Sequence, residues 1–243
     1  MSFNLKNDIK KDALKSVDYL TLIAQIYNQT TINMSSITHI NTGIRKILEH
    51  PSIYNSFQDA IGGNKQRKEH FLTYFKNTQN KNILDIGCGT AVLLEYIEDT
   101  ADYHGCDMEE SYINYCIKKY GDRGSFYTER VGEVVREEWL SYFDIINAHG
   151  LLHHLNDNDS KDLLDISYKY LKPGGILVTV DSVFHKNQSS FAKWLISKDR
   201  GQNVRTPEAY LALAKQHFPQ VDGFIDDKAY RIPYSLYTMI MKK

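Results

Sequence analysis

The sequence ILDIGCGTA, from Ile83 to Ala91, decides the fold of this chain. It starts as a short apolar run of the kind that forms a buried strand, and it breaks at Gly87 and Gly89. Glycines allow the backbone to approach a ligand closely, and the first free N–H groups of a following helix supply hydrogen-bond donors. The stretch therefore predicts a strand, a glycine turn and a helix at a site for a nucleotide-like cofactor.

A second acidic residue supports this prediction. Tyr103–Asp107 passes from apolar to polar residues, and Asp107 follows the glycine turn by about 20 residues. At that distance a second strand carries a carboxylate to the ribose hydroxyls of a cofactor. The alternative is that Asp107 caps a helix that begins near Glu109.

Two details argue against NAD as the cofactor. The dinucleotide fingerprint G-x-G-x-x-G has Gly or Ala at its sixth position, where this chain has Val92. Asp85, which precedes the glycines, has no role in NAD binding and suits a cofactor with a cationic end. An unpartnered carboxylate at the end of a buried strand is costly, so Asp85 needs either the turn backbone or that cationic ligand as its partner.

At this point the chain resembles the class I S-adenosylmethionine (SAM) methyltransferases. Their first motif is an acidic residue followed by G-x-G after an apolar strand, which here corresponds to Asp85, Gly87 and Gly89. Three further motifs match in order, namely Asp107 at the end of the second strand, the segment 144–155 and the segment 171–181. The matches cover about residues 67–185. The resemblance implies methyl transfer with SAM as the donor and S-adenosylhomocysteine (SAH) as the product.

The order of elements predicts an α/β fold. Apolar residues recur at helical spacing before Pro51, and strands alternate with helices from Ile83 onward, which predicts a parallel sheet covered on both faces. The resemblance implies a doubly wound, seven-stranded sheet whose last strand is antiparallel. We expect an N-terminal helical extension or lid over residues 1–62 and a SAM-binding methyltransferase domain over residues 63–243. In similar enzymes such an extension covers the active site or forms a homodimer contact.

The resemblance also assigns residues to the cofactor. Arg67 reaches the SAM carboxylate or remains a solvated charge, and the residues from Glu129 to Val131 lie near the adenine. The cofactor-binding candidates are Arg67, Asp85, Gly87, Gly89, Asp107, Met108, Glu129, Arg130 and His149.

Histidines cluster after the predicted fourth strand, where similar enzymes have the rim of the active site. Methyl transfer to a hydroxyl requires removal of its proton, and histidine is the side chain best matched to that task near neutral pH. His153 and His154 are therefore candidate general bases; the alternative is that they only pack or form hydrogen bonds. No Cys or carboxylate joins them at ligand spacing, so no metal is expected.

A downstream group of cations suggests an anionic acceptor. Arg200 and Arg205 precede the helix signal Thr206-Pro207, and Arg231 comes just before Tyr234. Guanidinium groups bind phosphate or carboxylate bidentately, and a helix N-terminus adds N–H donors. We expect these three arginines and Tyr234 to contact the substrate. The alternative is a loop held together by salt bridges to Asp199.

Composition narrows the class of protein. With 243 residues, of which 42% are hydrophobic, the chain can bury a full core, and a net charge of −1 disfavours nucleic acid as a partner. The absence of a long apolar run and of an apolar leader predicts a soluble, cytoplasmic protein without a membrane partner, in which the 3 cysteines are reduced and buried.

We expect a SAM-dependent methyltransferase that acts on a small polar molecule, either an anionic metabolite or a nucleotide-linked sugar, by O- or N-methylation. Two other functions remain open. One is an NAD-type Rossmann oxidoreductase. The other is a catalytically inactive subunit of the same fold that binds SAM or a partner protein.

Overall fold

The structure is a computed structural model that describes residues 63–130, 135–197, 203–230 and 232–243. These residues belong to one structural unit, Asn55–Lys243. The expected helical extension over residues 1–62, and with it the expected homodimer contact, lies outside the described residues. Within the described residues, no helix combines the length and the apolar character needed to cross a membrane.

Seven strands form one mixed sheet in the order β3-β2-β1-β4-β5-β7-β6. The strands are β1 (Asn82–Ile86), β2 (Asp102–Asp107), β3 (Ser125–Thr128), β4 (Phe143–His149), β5 (Leu171–Ser182), β6 (Gln220–Asp226) and β7 (Leu236–Lys242). Strands β1 to β5 pair in parallel, whereas β7 is antiparallel to both β5 and β6. The seven-stranded sheet with an antiparallel last strand is thereby confirmed.

Helices cover both faces of this sheet. They are α1 (Gly63–Tyr74), α2 (Glu110–Tyr120), α3 (Asp157–Tyr170), α4 (Ser190–Ser197) and α5 (Pro207–Ala214). Because successive strand residues point to opposite faces, the two apolar cores draw on alternate strand positions. Leu84 and Ile146 pack with α3 and α5 on one face, and Ile83 and Ile145 pack with α1 and α2 on the other.

One prediction near the glycine turn is wrong. The sequence predicts a helix directly after the turn, but the structure has only a short 3₁₀ helix there, Val92–Glu95. Few residues separate the turn from the start of β2 at Asp102. A 3₁₀ helix rises about 2.0 Å per residue and an α-helix about 1.5 Å, so the 3₁₀ form covers the return path with fewer residues.

Two local predictions in the C-terminal part can be compared directly. Thr206 caps α5 as expected, since its Oγ1 accepts a hydrogen bond from the Ala209 N–H at 3.3 Å. The apolar run from Ile232 to Met241 predicts a closing strand, but that strand begins only at Leu236. Pro233 explains part of this difference, because proline has no N–H to donate to a neighbouring strand.

The sheet topology decides where a ligand can bind. The chain runs outward from β1 to β2 and β3 on one side, and then crosses to β4 on the other side of β1. In open α/β sheets such a switch leaves a crevice at the carboxyl ends of the strands, and ligands bind there. The carboxyl ends of β1, β2, β4 and β5 are close to Asp85, Asp107, His149 and Asp181.

Candidate cofactor and acceptor site

The glycine turn after β1 is pinned to the neighbouring strand. The N–H groups of Gly87 and Cys88 both donate to the Cys106 carbonyl, at 2.8 and 3.0 Å. Gly87 and Gly89 have φ values of +69° and +53°, a left-handed conformation that glycine adopts without steric cost. A Cβ added to Gly89 would meet nothing within 4 Å, so this part of the backbone is open to a ligand.

Asp107 holds the other side of the turn. Its Oδ2 accepts a hydrogen bond from the Gly89 N–H at 2.9 Å, and its Oδ1 accepts one from the Glu109 N–H at 2.9 Å. The hydrogen bond from Glu109 is the one expected if Asp107 caps the start of α2. A carboxylate has about four acceptor positions, so ribose binding stays a prediction that these contacts permit. The neighbouring Met108 is 70% exposed, which leaves an apolar surface beside the expected ribose site.

Replacing Asp107 by alanine is expected to weaken SAH binding by on the order of 1.5–3 kcal/mol, the usual worth of a hydrogen bond to a charged group. Titration calorimetry with SAH measures the loss. Glu110→Ala is the matched control, because it removes an exposed acid from the first turn of α2 without touching the glycine turn. Unchanged affinity in Asp107→Ala would leave Asp107 with the capping role alone.

Asp85 lies at the centre of a hydrogen-bonded row that crosses three strands. Its Oδ2 accepts from the Tyr103 hydroxyl and its Oδ1 from the Asn147 side-chain amide, both at 2.7 Å. Gly105 leaves room for this arrangement, since a Cβ there would come within 3.1 Å of the Tyr103 oxygen. The sequence does not predict these two partners. Asn147 could be found only from the register between β1 and β4, which places it opposite Asp85.

The environment of Asp85 disfavours the ionised form of its carboxyl group. The side chain is only 3% exposed, and burial raises its pKa to about 6, although the hydrogen bonds from Asn147 and Tyr103 act in the opposite direction. A nearby positive charge stabilises a carboxylate of this kind. Asp85 therefore suits the cationic end of a ligand.

Buried polar atoms without a hydrogen-bond partner gather where α1 faces β4. They are Gln66 Oε1, His70 Nε2, Asn147 Oδ1 and His149 Nδ1. The rings of His70 and His149 are 5.3 Å apart. Leaving one such atom unpaired costs about 1–3 kcal/mol, so the group as a whole calls for a hydrogen-bonding ligand end or ordered water.

Burial disfavours the protonated form of both histidines of this group. Burial lowers the pKa of His70 to about 4. Burial also lowers the pKa of His149 well below its usual range, with smaller electrostatic contributions from His70, Arg67 and His153. Arg67 acts electrostatically on Asp85 as well. Arg67 and Asp85 thus place a guanidinium and a carboxylate beside this region, and their charges are complementary to the carboxylate and the ammonium of SAM's methionine end.

The two candidate bases have different surroundings. They belong to the histidine turn, defined here as residues 152–155, in which Leu152–His154 forms a 3₁₀ helix. His153 is 6% exposed, and its Nδ1 lies 2.8 Å from Oδ1 of Asp181. His154 is exposed, and its ring centre is 4.2 Å from that of His153. Sequence reasoning missed Asp181, although its place at the end of β5 is a signal of the same kind as Asp107.

Arg205 is occupied by contacts within the fold. Its guanidinium donates to the carbonyls of Leu152 and Leu155, each at 2.9 Å, and to Asp157 Oδ1 at 2.7 Å. Only 10% of its side chain is exposed. These contacts are those of a loop held together by salt bridges, with Asp157 as the acidic partner. Asp199, the partner expected from the sequence, lies outside the described residues. Arg200 and Arg231 lie outside the described residues.

The remaining candidates also form contacts within the chain. Glu129 pairs with Arg136 at 2.7 Å, and Arg130 pairs with Asp159 at 2.6 Å. The Tyr234 hydroxyl shares a 2.6 Å hydrogen bond with Ser182 Oγ at the end of β5. A role of Glu129 and Arg130 at the adenine, and of Tyr234 at the acceptor, stays a prediction.

Fold and site together have the arrangement that the resemblance to class I SAM methyltransferases implies. The sheet order, the glycine turn between Asp85 and Asp107, and the polar group at the end of β4 all meet at one edge of the sheet. Residues 84–177 match the family model described as a methyltransferase domain. This central part of the chain is thus similar to methyltransferase domains, and a solved structure with the same fold contains SAM.

Among curated proteins the chain is similar to methyltransferases of two kinds. It is 24% identical over 182 residues to phosphoethanolamine N-methyltransferase 1 of Triticum aestivum, a match that covers 73% of this chain and 35% of that protein. It is 29% identical over 122 residues to a ubiquinone biosynthesis O-methyltransferase of Shewanella sp. (strain ANA-3), covering 49% and 50%. The chain spans half or less of the length of these two relatives.

Solved structures show the same fold. Phosphoethanolamine N-methyltransferase 2 of Haemonchus contortus, in complex with phosphomonomethylethanolamine and SAH, aligns over 83% of this chain and 60% of its own, with a TM-score of 0.62 and 15% identity. A SAM-dependent methyltransferase from Archaeoglobus fulgidus aligns over 78% and 99%, with a TM-score of 0.61 and 20% identity. The doubly wound architecture is thereby confirmed.

Proposed function

We propose that the protein transfers a methyl group from SAM to a small polar acceptor that carries an anionic group. The observation that carries this proposal is the arrangement at the carboxyl edge of the sheet. There the glycine turn, a buried carboxylate and a set of unpartnered polar atoms adjoin a turn with two histidines.

Residues at the carboxyl edge of the sheet match both the methionine end and the ribose of SAM. Asp85 favours the ammonium and Arg67 the carboxylate of the methionine end, while the unpartnered atoms of His70 and His149 supply further hydrogen-bond positions. Asp107 supplies acceptor positions for the ribose. When bound, SAM supplies a methyl group on a sulfonium that is already activated for transfer. The protein therefore has to align the acceptor and, for a hydroxyl, remove its proton.

The histidine turn provides the proton acceptor in this proposal. His154 is exposed at the edge where the acceptor binds, whereas the Nδ1 of His153 is held by Asp181. We assign the general-base role to His154 and an orienting role to His153. An amine acceptor needs a base only to arrive uncharged, so the assignment applies most strictly to a hydroxyl.

Support for the acceptor class comes from the relatives. Several relatives are named phosphoethanolamine N-methyltransferases, and phosphoethanolamine is a small molecule with a phosphate. Arg200 and Arg231 are the arginines proposed to hold such an anion, because the described contacts already engage Arg205 within the fold. The nucleotide-linked sugar that the sequence also allows stays a prediction.

Binding and turnover measurements test the proposal in one series. We expect SAM and SAH to bind and NAD not to bind, because the acid before the glycine turn suits a cationic methionine end. Calorimetry with each ligand decides this point. Methyl transfer from labelled SAM to phosphoethanolamine then separates an enzyme from a subunit that only binds SAM. Micromolar NAD binding without SAM binding would contradict the proposal and favour an oxidoreductase.

A further inference from the structure

The histidine turn is held from one side by a short segment that follows α4. Four consecutive carbonyl groups of the turn accept hydrogen bonds from Asn203 and Arg205. The donors are Arg205 Nη1 to Leu152 O (2.9 Å), Asn203 N–H to His153 O (2.9 Å), Asn203 Nδ2 to His154 O (3.3 Å) and Arg205 Nη2 to Leu155 O (2.9 Å). The Leu152 carbonyl also accepts from the Leu155 N–H within the turn, at 3.1 Å, and the Leu155 carbonyl accepts from Ser160 Oγ at 3.3 Å. The last carbonyls of a helix lack partners within it, so the donors of Asn203 fix the direction of the His153 and His154 carbonyls.

Asp181 holds the same turn from the sheet. Its Oδ1 accepts both the backbone N–H of His153, at 3.1 Å, and a hydrogen bond from the His153 Nδ1, at 2.8 Å. Asp181 is 1% exposed and belongs to β5, which pairs with β4 on one side and with β7 on the other. The backbone and the ring of His153 are thus tied to a rigid part of the fold.

We propose that Asp181 and Arg205 are positioning residues, which fix the histidine turn so that His153 serves as its anchor and His154 faces the acceptor. This inference rests on the proposed function only for the role of His154. The geometric part stands by itself: an anchored ring is protected from solvent, and its neighbour is not. The inference also gives Arg205 a role different from anion binding.

Chemical modification tests the geometric part without any acceptor. Diethyl pyrocarbonate modifies accessible imidazoles, and tandem mass spectrometry of the digested full-length chain distinguishes the two neighbouring histidines. In the unchanged protein we expect His154 to react and His153 to be protected. In Asp181→Asn and in Arg205→Lys, the rate at which diethyl pyrocarbonate modifies His153 should rise by roughly tenfold. This change corresponds to about 1.4 kcal/mol in the free energy that keeps the ring protected.

A matched control comes from a second histidine–carboxylate contact. His217 Nδ1 lies 2.6 Å from Asp165 Oδ1, away from the turn. Asp165→Ala removes that contact and should leave His153 protected. If His153 reacts as fast as His154 in the unchanged protein, or stays protected in both positioning variants, the inference is wrong. SAH calorimetry shows whether each variant retains the folded cofactor site.

Kinetics with a phosphate-bearing hydroxyl acceptor test the functional part, because the general-base role of His154 applies to a hydroxyl. Positioning predicts that Arg205→Lys lowers kcat and leaves the acceptor KM nearly unchanged, because lysine lacks the planar fork that spans two carbonyls. An anion-binding role predicts a raised KM with little change in kcat, and this result would overturn the positioning role. Failure of the proposed function appears differently: turnover is then absent in the unchanged protein, while the protection of His153 persists.

Discussion

Replacing His154 by alanine is expected to lower kcat by about 10²–10⁴-fold for a hydroxyl acceptor, while SAH affinity stays unchanged. The reason is that, in the proposed function, the exposed imidazole of His154 removes the acceptor proton and does not contribute to the cofactor site. Steady-state turnover and SAH calorimetry on the same preparation separate the two quantities.

His217→Ala is the control for this loss. It removes a histidine that contacts Asp165 in α3, and turnover should remain normal. Near-normal turnover in His154→Ala would instead mean that the histidines of the turn only pack, or that the acceptor is an amine that arrives uncharged. An assay with one hydroxyl and one amine acceptor distinguishes these two explanations.

Replacing Asp85 by asparagine is expected to stabilise the fold and to weaken SAM binding. Burial raises the pKa of Asp85 to about 6 from an ordinary 3.8. The folded state therefore holds the proton more tightly, and stability falls as pH rises between these values. A pKa shift of this size lowers the free energy of unfolding by about 3 kcal/mol at pH 7, where Asp85 is ionised in both the folded and the unfolded state. Asparagine keeps the shape of the side chain and removes the charge.

Urea unfolding at pH 5 and pH 8 measures the stability change, and calorimetry measures SAM binding. The gain in unfolding free energy should be larger at pH 8. Asp144→Asn is a control of opposite sign: although burial acts to raise its pKa, the Lys172 ammonium at 2.7 Å and other partners hold that pKa below its usual range. Its replacement should destabilise the protein at pH 8. Equal stability of Asp85→Asn and the unchanged protein would contradict an uncompensated buried charge.

The sequence predicts the alternation of strands and helices because the signals involved are local, whereas the number of strands and the antiparallel last strand come from the resemblance to class I methyltransferases. The glycine turn, the proline-started helix at Pro207 and the alternation of strands and helices each depend on neighbouring residues. The short 3₁₀ helix was missed because it depends on the distance that the chain has to cover between two strands. That distance is a property of the assembled sheet.

The candidate site was predictable by residue type but not by partner. Asp85 and the histidines could be named in advance, yet the partners Tyr103, Asn147 and Asp181 lie on other strands. Register between strands decides such contacts, and a single sequence does not reveal it. The partners of Arg205 are also distant in sequence. The sequence predicts an anion site there, whereas the guanidinium donates to carbonyl groups of the histidine turn.

The row of Tyr103, Asp85 and Asn147 has a consequence for the evolution of this family. Each of the three side chains comes from a different strand, and changing one leaves a buried partner without its hydrogen bond. Relatives that bind SAM should therefore keep an acid at the position of Asp85. We expect an alignment of many relatives to show, at the positions of Tyr103 and Asn147, side chains that can donate a hydrogen bond to that acid.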